Sequence, residues 1–568
     1  MIKSKLSVFL LSAIAIAVLL RIVNLGSREL WYDEVLSLLL ASGQKNAYQT
    51  PGDIPVILAD YKPLLSLPIE NSINDIVKTI ANLLKGLAAE PHPPLFYLTQ
   101  HFWLRLFGNG EGAMRSLEVL FSIGAIGSAY GLGRCLLGNR GGLLLAALLG
   151  TNDYYLFHSL NVRMYGQLIL WITLSAWAIL ELISNSNPPP QTPSTPSATS
   201  VTSVTKSATP SATTPPTFKS KILWHVILTI SVACGFMTFY YFVYFILALS
   251  ILVLILDKQR WWQYGLSLGT GVLITIPWVL WGTRQQLRNA DFERFSKASS
   301  LPEAVSKHFE GVTQTIGTHL FLGDWVTNVP PISATIAGII AIALLVACSI
   351  NLWQDNQRRV LTVAFLLGIF PFLVALSLDI LKGQFTIGFG WGRSMILILP
   401  GCLLLLVAWI ERAAGKWRQT AAAILLILYL TISIGDFSLR HRLIFHQIAA
   451  IIKQEPTTPT LIVMNSNAWG HVLRLAYYIP SNLPVELLAQ KSDEIASALE
   501  KNLASKPTAY QRILWLDSAR PVWGSASTPI QKDQLQKLLD QKFQLKTTQQ
   551  LSGTMELDKF TAYLYQRE

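Results

Sequence analysis

Apolar runs long enough to cross a bilayer recur along most of this chain, and they constrain its fold more than any other feature. They lie at residues 6–25, 113–136, 141–157, 162–184, 222–239, 240–256, 262–283, 331–352, 358–379, 393–411 and 419–436. A segment in hydrocarbon must satisfy its own backbone N–H and C=O groups, and about 20 apolar residues do so as one helix. Charged residues make up only 14% of the chain, against about 25% in soluble domains. The chain therefore reads as an all-α polytopic membrane protein.

Lys3 and Lys5 precede the first run, so the positive-inside rule places the N-terminus in the cytoplasm. That run has no persuasive small-x-small cleavage site before Arg21, and reads as a retained anchor. A further apolar stretch at 94–107 is short and contains His101 and Arg105; it reads as a re-entrant or interfacial helix. If it does not cross, the loops carrying Arg134 and Arg140, Arg260, Arg358 and Arg359, and Arg412, Lys416 and Arg418 all fall inside. Eleven full spans result, with the C-terminal part outside. Topology control thus accounts for the net charge of +12, and no nucleic-acid role is assigned. Cys135, Cys234, Cys348 and Cys402 lack CxxC spacing and indicate neither a disulfide framework nor a zinc site.

Four regions follow. Residues 1–184 form an N-terminal membrane module with a large first outer loop at 26–93. In that loop Ile76, Ile80, Leu83, Leu84 and Leu87 share one face of an amphipathic stretch, as in a helix lying along the interface. Residues 185–221 are a Ser/Thr/Pro-rich cytoplasmic linker with almost nothing to bury, expected to be disordered. Residues 222–436 hold the later membrane helices. Residues 437–568 alternate strand and helix patterns: strands at 460–464, 485–488, 512–517, 543–548 and 561–566, helices near 493–503 and 529–541. They read as a small extracytoplasmic α/β domain.

On this topology Asp33, Glu34, His92, Arg115, Asn152, Asp153, His158, Asn161, Arg163, Tyr165 and Arg393 collect at the outer ends of the spans, with Arg284 and Arg288. Ionisable groups at that depth mark a function or a buried pair. Arg115 and Glu118, three apart on a helix, are expected to pair with each other. A carboxylate can take the proton of an attacking hydroxyl, and guanidinium groups hold a phosphate through paired hydrogen bonds. A lipid-linked phosphosugar at the outer leaflet would use both, but spacing alone does not select that chemistry.

Four motifs in order add to this. Trp31-Tyr32-Asp33-Glu34 resembles a W-x-D-E motif, and His92-Pro93-Pro94 through Trp103-Leu104-Arg105-Leu106-Phe107-Gly108 an HPPLYY…WLRLFG segment. Asn161-Val162-Arg163-Met164-Tyr165 resembles E-A-R-M-Y, and Gly392-Arg393 through Pro400 a late R-Y…P motif. Together they resemble the GT-C class of integral-membrane glycosyltransferases, in the bacterial branch related to protein O-mannosyltransferases and the lipid A aminoarabinose transferase. The resemblance is close over about residues 15–185, looser from 220 to 436 and weak beyond.

It implies a GT-C fold and a glycosyltransferase of the bacterial plasma (inner) membrane, working on its outer face. The implied donor is a polyprenyl-phosphate-linked sugar; the acceptor hydroxyl belongs to a protein, a glycolipid or an envelope glycan. It implies Asp33 as catalytic base of an inverting transfer, with Glu34 beside it. Arg393 and Arg163 would hold the departing phosphate, Glu34 and His92 would shape the acceptor or sugar side, and Tyr165 would belong to the substrate site. The family's glutamate is Asn161 here, which cannot act as a base; Asp153 supplies that charge, or donor specificity differs, or the protein is an inactive scaffold. No cofactor is implied and no divalent metal is expected. A metal-dependent, lipid-pyrophosphate-using oligosaccharyltransferase or polymerase is the first alternative, and a lipid-sugar transporter the second.

Overall fold

The computed structural model describes residues 2–23, 25–186, 218–289, 298, 300–439, 443–522, 524–553 and 557–567. The linker expected over 185–221 falls mostly outside them. Among the described residues, seven helices are long and apolar enough to cross a membrane: Glu111–Thr151, Tyr165–Ser184, Lys221–Thr238, Lys258–Asn289, Pro331–Gln354, Arg393–Arg412 and Gly415–Asp436. An eighth is the pair Arg358–Leu367 and Ile369–Lys382, bent by 43°. The eleven expected runs map onto these with two differences. The runs at 113–136 and 141–157 share the helix Glu111–Thr151, which breaks at Gly138 (φ 81°, ψ −179°), a conformation only glycine adopts freely. The runs at 6–25 and 240–256 are the shorter helices Leu6–Ile22 and Phe242–Leu256. The apolar stretch at 94–107 is the 13-residue helix Leu95–Phe107, about 20 Å long and too short to cross.

Helix Arg393–Arg412 is the centre of the bundle: 89% of its apolar window is buried, against 28% for Pro331–Gln354. The outer helices turn Ile336, Ile339, Ile340, Ile424 and Ile427 outward, as lipid-facing surfaces do. The centre is reached through glycines. A Cβ on Gly401 would stand 2.2 Å from the backbone nitrogen of Gly368, at the bend of the paired helix. Small residues there let two backbones touch, which is how helices associate without a hydrophobic drive between them. At the end opposite the C-terminal domain, Arg140 meets Glu411 at 2.9 Å, joining two of the basic loops.

The C-terminal strands form where expected and gain a partner from elsewhere in the chain. The sheet comprises β1 (Val56–Ile57), β2 (Thr460–Met464), β3 (Val485–Ala489), β4 (Arg512–Ser518), β5 (Phe543–Ser552) and β6 (Lys559–Arg567), in the order β1-β3-β2-β4-β6-β5. Strands β3, β2 and β4 are parallel, and β6 and β5 continue antiparallel. On one face Leu461, Val463 and Trp515 pack on Leu499, Leu535 and Leu539 of helices Ile495–Ser505 and Pro529–Asp540. On the other, Ile462, Met464 and Leu514 join Val472 and Leu473 of helix Trp469–Tyr478 in the main core. Burial on both faces explains why β2 reads as an unbroken apolar run. Strand β1 comes from the first loop and pairs antiparallel with β3, so loop and domain are one packed unit.

Replacing Gly401 by Ala should force the central helices apart and destabilise the protein by about 1–3 kcal/mol. Gly127→Ala, where a Cβ meets nothing within 4 Å, should be neutral. Thermal unfolding of both variants in detergent checks this.

Candidate active site

Helix Tyr32–Ala41 begins with the acidic pair in its first turn, where the positive end of the helix dipole favours carboxylates. The two carboxylates have different surroundings. Glu34 is fully buried. Arg115 grips it with a two-pronged contact, Nε to Oε1 at 2.9 Å and Nη2 to Oε2 at 2.8 Å. The backbone nitrogens of Trp31 and Val162 donate to it at 2.7 and 2.8 Å. Arg115 also donates to the carbonyls of Leu25, Arg28 and Glu29. The expected Arg115–Glu118 pair is therefore corrected: Arg115 serves Glu34, and Glu118 accepts from the Gln167 backbone nitrogen instead. The three-residue spacing made a local pair available, but a carboxylate in the first loop offered the guanidinium a complete fork. Burial pushes the Glu34 carboxyl up, yet Arg115 and the two backbone donors outweigh it and hold it below the usual range.

Asp33 points elsewhere. Its Oδ2 accepts from Arg393 Nη1 at 2.6 Å, and 16% of its side chain stays exposed. Burial pushes its carboxyl up, but the charges of Arg393, Arg163 and His92 hold it below the usual range. Arg393 is aimed by the turn Gly390-Trp391-Gly392, whose φ angles are 56°, 57° and 80°. Trp391 is a bulky side chain in the left-handed region, a strained conformation that the surrounding packing must enforce. The guanidinium lies over the rings of Trp31 and Phe389, 5.5 and 5.0 Å from their centroids.

Arg163 is the second cation near Asp33, and it is buried. It sits in a tight turn where Arg163 N bonds Asn161 O and Tyr165 N bonds Arg163 O. It reaches Ser37 Oγ at 3.3 Å and His92 Nε2 at 3.2 Å, and its Nε has no partner among the described residues. No carboxylate lies within ion-pair distance of it among those residues. His92 stacks on Phe239, and the ring of Tyr165 packs edge-on against His158.

Asp33, Arg393, Arg163 and His92 thus converge, while Glu34 is saturated by structural bonds. Asp153 turns away: its Oδ2 accepts from the backbone nitrogen of Asp324 at 3.0 Å and presses on Gly323. Asn161 is 2% exposed and lines a cavity of about 240 Å³ together with Trp31, Trp391, Arg393, Asp324 and Asp558. Trp391, Asp324 and Asp558 were not anticipated. The glycines flanking Trp391 are a turn signal that could have found it; Asp558 carries none.

The C-terminal domain completes the surroundings. Buried Arg474 forks onto Asp558 at 2.9 and 2.7 Å and lies over Phe445 and Tyr32. Tyr478 bonds Glu111 and accepts from the backbone nitrogen of Leu30.

Residues 91–189 match the family described as dolichyl-phosphate-mannose-protein mannosyltransferase. That segment contains His92, Asp153, Asn161, Arg163 and Tyr165. This segment resembles that family of mannosyltransferases. Similar solved structures include ArnT from Cupriavidus metallidurans bound to undecaprenyl phosphate, at 12% identity and TM-score 0.40 over 98% of each chain. The apo oligosaccharyltransferase of Archaeoglobus fulgidus is 11% identical with a TM-score of 0.47, covering 98% of this chain and 74% of that one. No curated protein sequence matches. The chain is a multi-pass membrane protein, and the family match over residues 91–189 supports a transferase.

Glu34→Gln should leave Arg115 buried without its counter-charge, at a cost of about 3–5 kcal/mol. Because the Glu34 carboxyl is depressed in the folded state, its contribution is present above the ordinary glutamate pKa of about 4.3 and is lost as pH falls through the lower folded value. Thermal unfolding against pH should show a steep acid limb in the wild type, and a lower, flatter curve in Glu34→Gln.

Proposed function

We propose that this protein transfers a sugar from a polyprenyl-phosphate-linked donor to an acceptor hydroxyl. The observation that carries the reading is one partly exposed carboxylate, Asp33, near two guanidinium groups, the part-buried Arg393 and the buried Arg163, and among the described residues no carboxylate lies within ion-pair distance of Arg163. Such a site holds excess positive charge and suits an anion. In the proposed reaction the acceptor oxygen bonds to the anomeric carbon while the bond from that carbon to the phosphate oxygen breaks. The electron pair leaves with the lipid phosphate, the acceptor proton passes to Asp33, and the configuration inverts. Arg393 and Arg163 stabilise the charge that grows on the phosphate.

The Asp33–Arg393 contact joins base and anchor. An arriving phosphate competes for Arg393, loosening its hold on Asp33 and raising the basicity of the carboxylate at the moment it is needed. Glu34 serves as a positioning residue that fixes the turn on which Asp33 stands. His92 orients Arg163, and Tyr165 closes the wall behind His158. Basic loops at the far end of the bundle support an outer-face site in a bacterial plasma membrane, with the C-terminal domain extracytoplasmic. We divide the chain accordingly into an N-terminal module (1–184), a linker (185–221), later helices (222–436) and the C-terminal domain (437–568).

Asp33→Asn should lower sugar transfer from a radiolabelled polyprenyl-phosphate hexose by about 10²–10⁴-fold with normal expression, and wild-type turnover should resist EDTA. Equal activity of the two proteins removes Asp33 from the mechanism, and loss of activity in EDTA favours a metal-dependent pyrophosphate donor class. Arg163→Gln should raise the donor KM on the order of 10–100-fold, the worth of a charged hydrogen bond. It also removes one of the charges that depress Asp33, so the acid limb of kcat/KM should move to higher pH.

A further inference from the structure

A cavity lies beside Arg393, the residue that holds Asp33. Arg393 and Trp31 line it, whereas Asp33, Arg163 and His92 do not. Its walls come from the first loop, from Asn161, from the turn bearing Asp324, from Trp391, and from Asp558 of the C-terminal domain. At about 240 Å³ it is smaller than the ~300–1,000 Å³ clefts that hold drug-sized ligands. It has room for one ring with its substituents, not an extended peptide.

The chemistry of the walls narrows the occupant. Trp31, Trp391 and Tyr154 are among its walls, and aromatic side chains are surfaces against which the C–H face of a pyranose packs. The charges nearby are compensated, Asp558 by Arg474 and Arg393 by Asp33, so the cavity offers oriented hydrogen-bonding groups with little net charge. Asn161 Nδ2 is buried and has no hydrogen-bond partner among the described residues. A buried donor left unmade is costly, and a ligand oxygen would satisfy it.

From this we infer that the cavity is the acceptor subsite and that the acceptor is a neutral sugar ring, with Asn161 a specificity-determining donor to one of its hydroxyls and the C-terminal domain supplying the far wall. The inference rests on the transferase reading, in which Asp33, in contact with Arg393 of the cavity wall, takes the proton of the acceptor hydroxyl.

The test uses the full chain in nanodiscs. Saturation-transfer NMR with a panel of methyl pyranosides should show saturable binding to wild type, Asp33→Asn and Arg163→Gln alike. Asn161→Leu should weaken that binding on the order of tenfold or more. Thr327→Phe, which fills the cavity from its half-buried rim, should do the same and serves if Asn161→Leu does not fold. With donor present, mass spectrometry should find the bound pyranoside glycosylated by the wild type. The inference is overturned if no pyranoside binds, if both cavity variants bind normally, or if a Ser/Thr peptide is displaced by them instead. It is also overturned if the pyranoside competes with the donor and is never glycosylated, since the cavity then holds the donor's sugar. Binding to Asp33→Asn needs no turnover, so failure of the transfer chemistry and failure of the subsite are read separately.

Discussion

The fork between Arg115 and Glu34 holds the rest of the site in place. Both side chains are essentially excluded from solvent, and such a pair is tolerated only when its remaining hydrogen-bonding capacity is filled. Here the carbonyls of Leu25, Arg28 and Glu29 and two backbone nitrogens fill it. The pair thereby ties the helix Glu111–Thr151, the first loop and the turn at 162 into one knot. Asp33 is the next residue along, so its direction follows from that knot rather than from its own single contact. The adjacent carboxylates divide structure from chemistry: one is saturated, the other is exposed at one edge and held by a residue from 360 positions away.

Strain and close packing are concentrated around the same place. The positive φ at Trp391 is sustained because Arg393 begins the most buried helix of the bundle, and that helix reaches the centre through the Gly368–Gly401 contact. A rigid support lets a guanidinium stand 2.6 Å from a carboxylate in a partly dry site, where the interaction is stronger than in water. Among the described residues Arg163 has no carboxylate within ion-pair distance, and its charge acts on Asp33 from further away.

The C-terminal domain is not an appendage. It adds β1 of the first loop to its sheet, packs Gly470 on the ring of Tyr32 so closely that a Cβ there would come within 2.4 Å, and lines the cavity with Leu557 and Asp558. Arg474 connects these contacts, gripping Asp558 while covering Tyr32. A displacement of the domain would be felt at the residue before Asp33.

The sequence by itself determined the membrane class, the positions of the helices and the alternating order of the last domain. These depend on apolar length and on periods of 3.6 and 2, which are local properties of the chain. It also placed Asp33, Arg393, Arg163 and His92 among the polar residues at the outer ends of the spans, where ionisable groups stand out, and the resemblance of four motifs singled them out from that longer list. Only the tertiary structure decided the partner of Arg115, the turning of Asp153 toward Gly323, the edge strand at Val56–Ile57 and the presence of Asp558 beside the site. Each depends on segments far apart in sequence meeting with a particular geometry. A buried charge takes the partner that completes its hydrogen bonds, and which partner that is becomes fixed only once the backbone has closed around it.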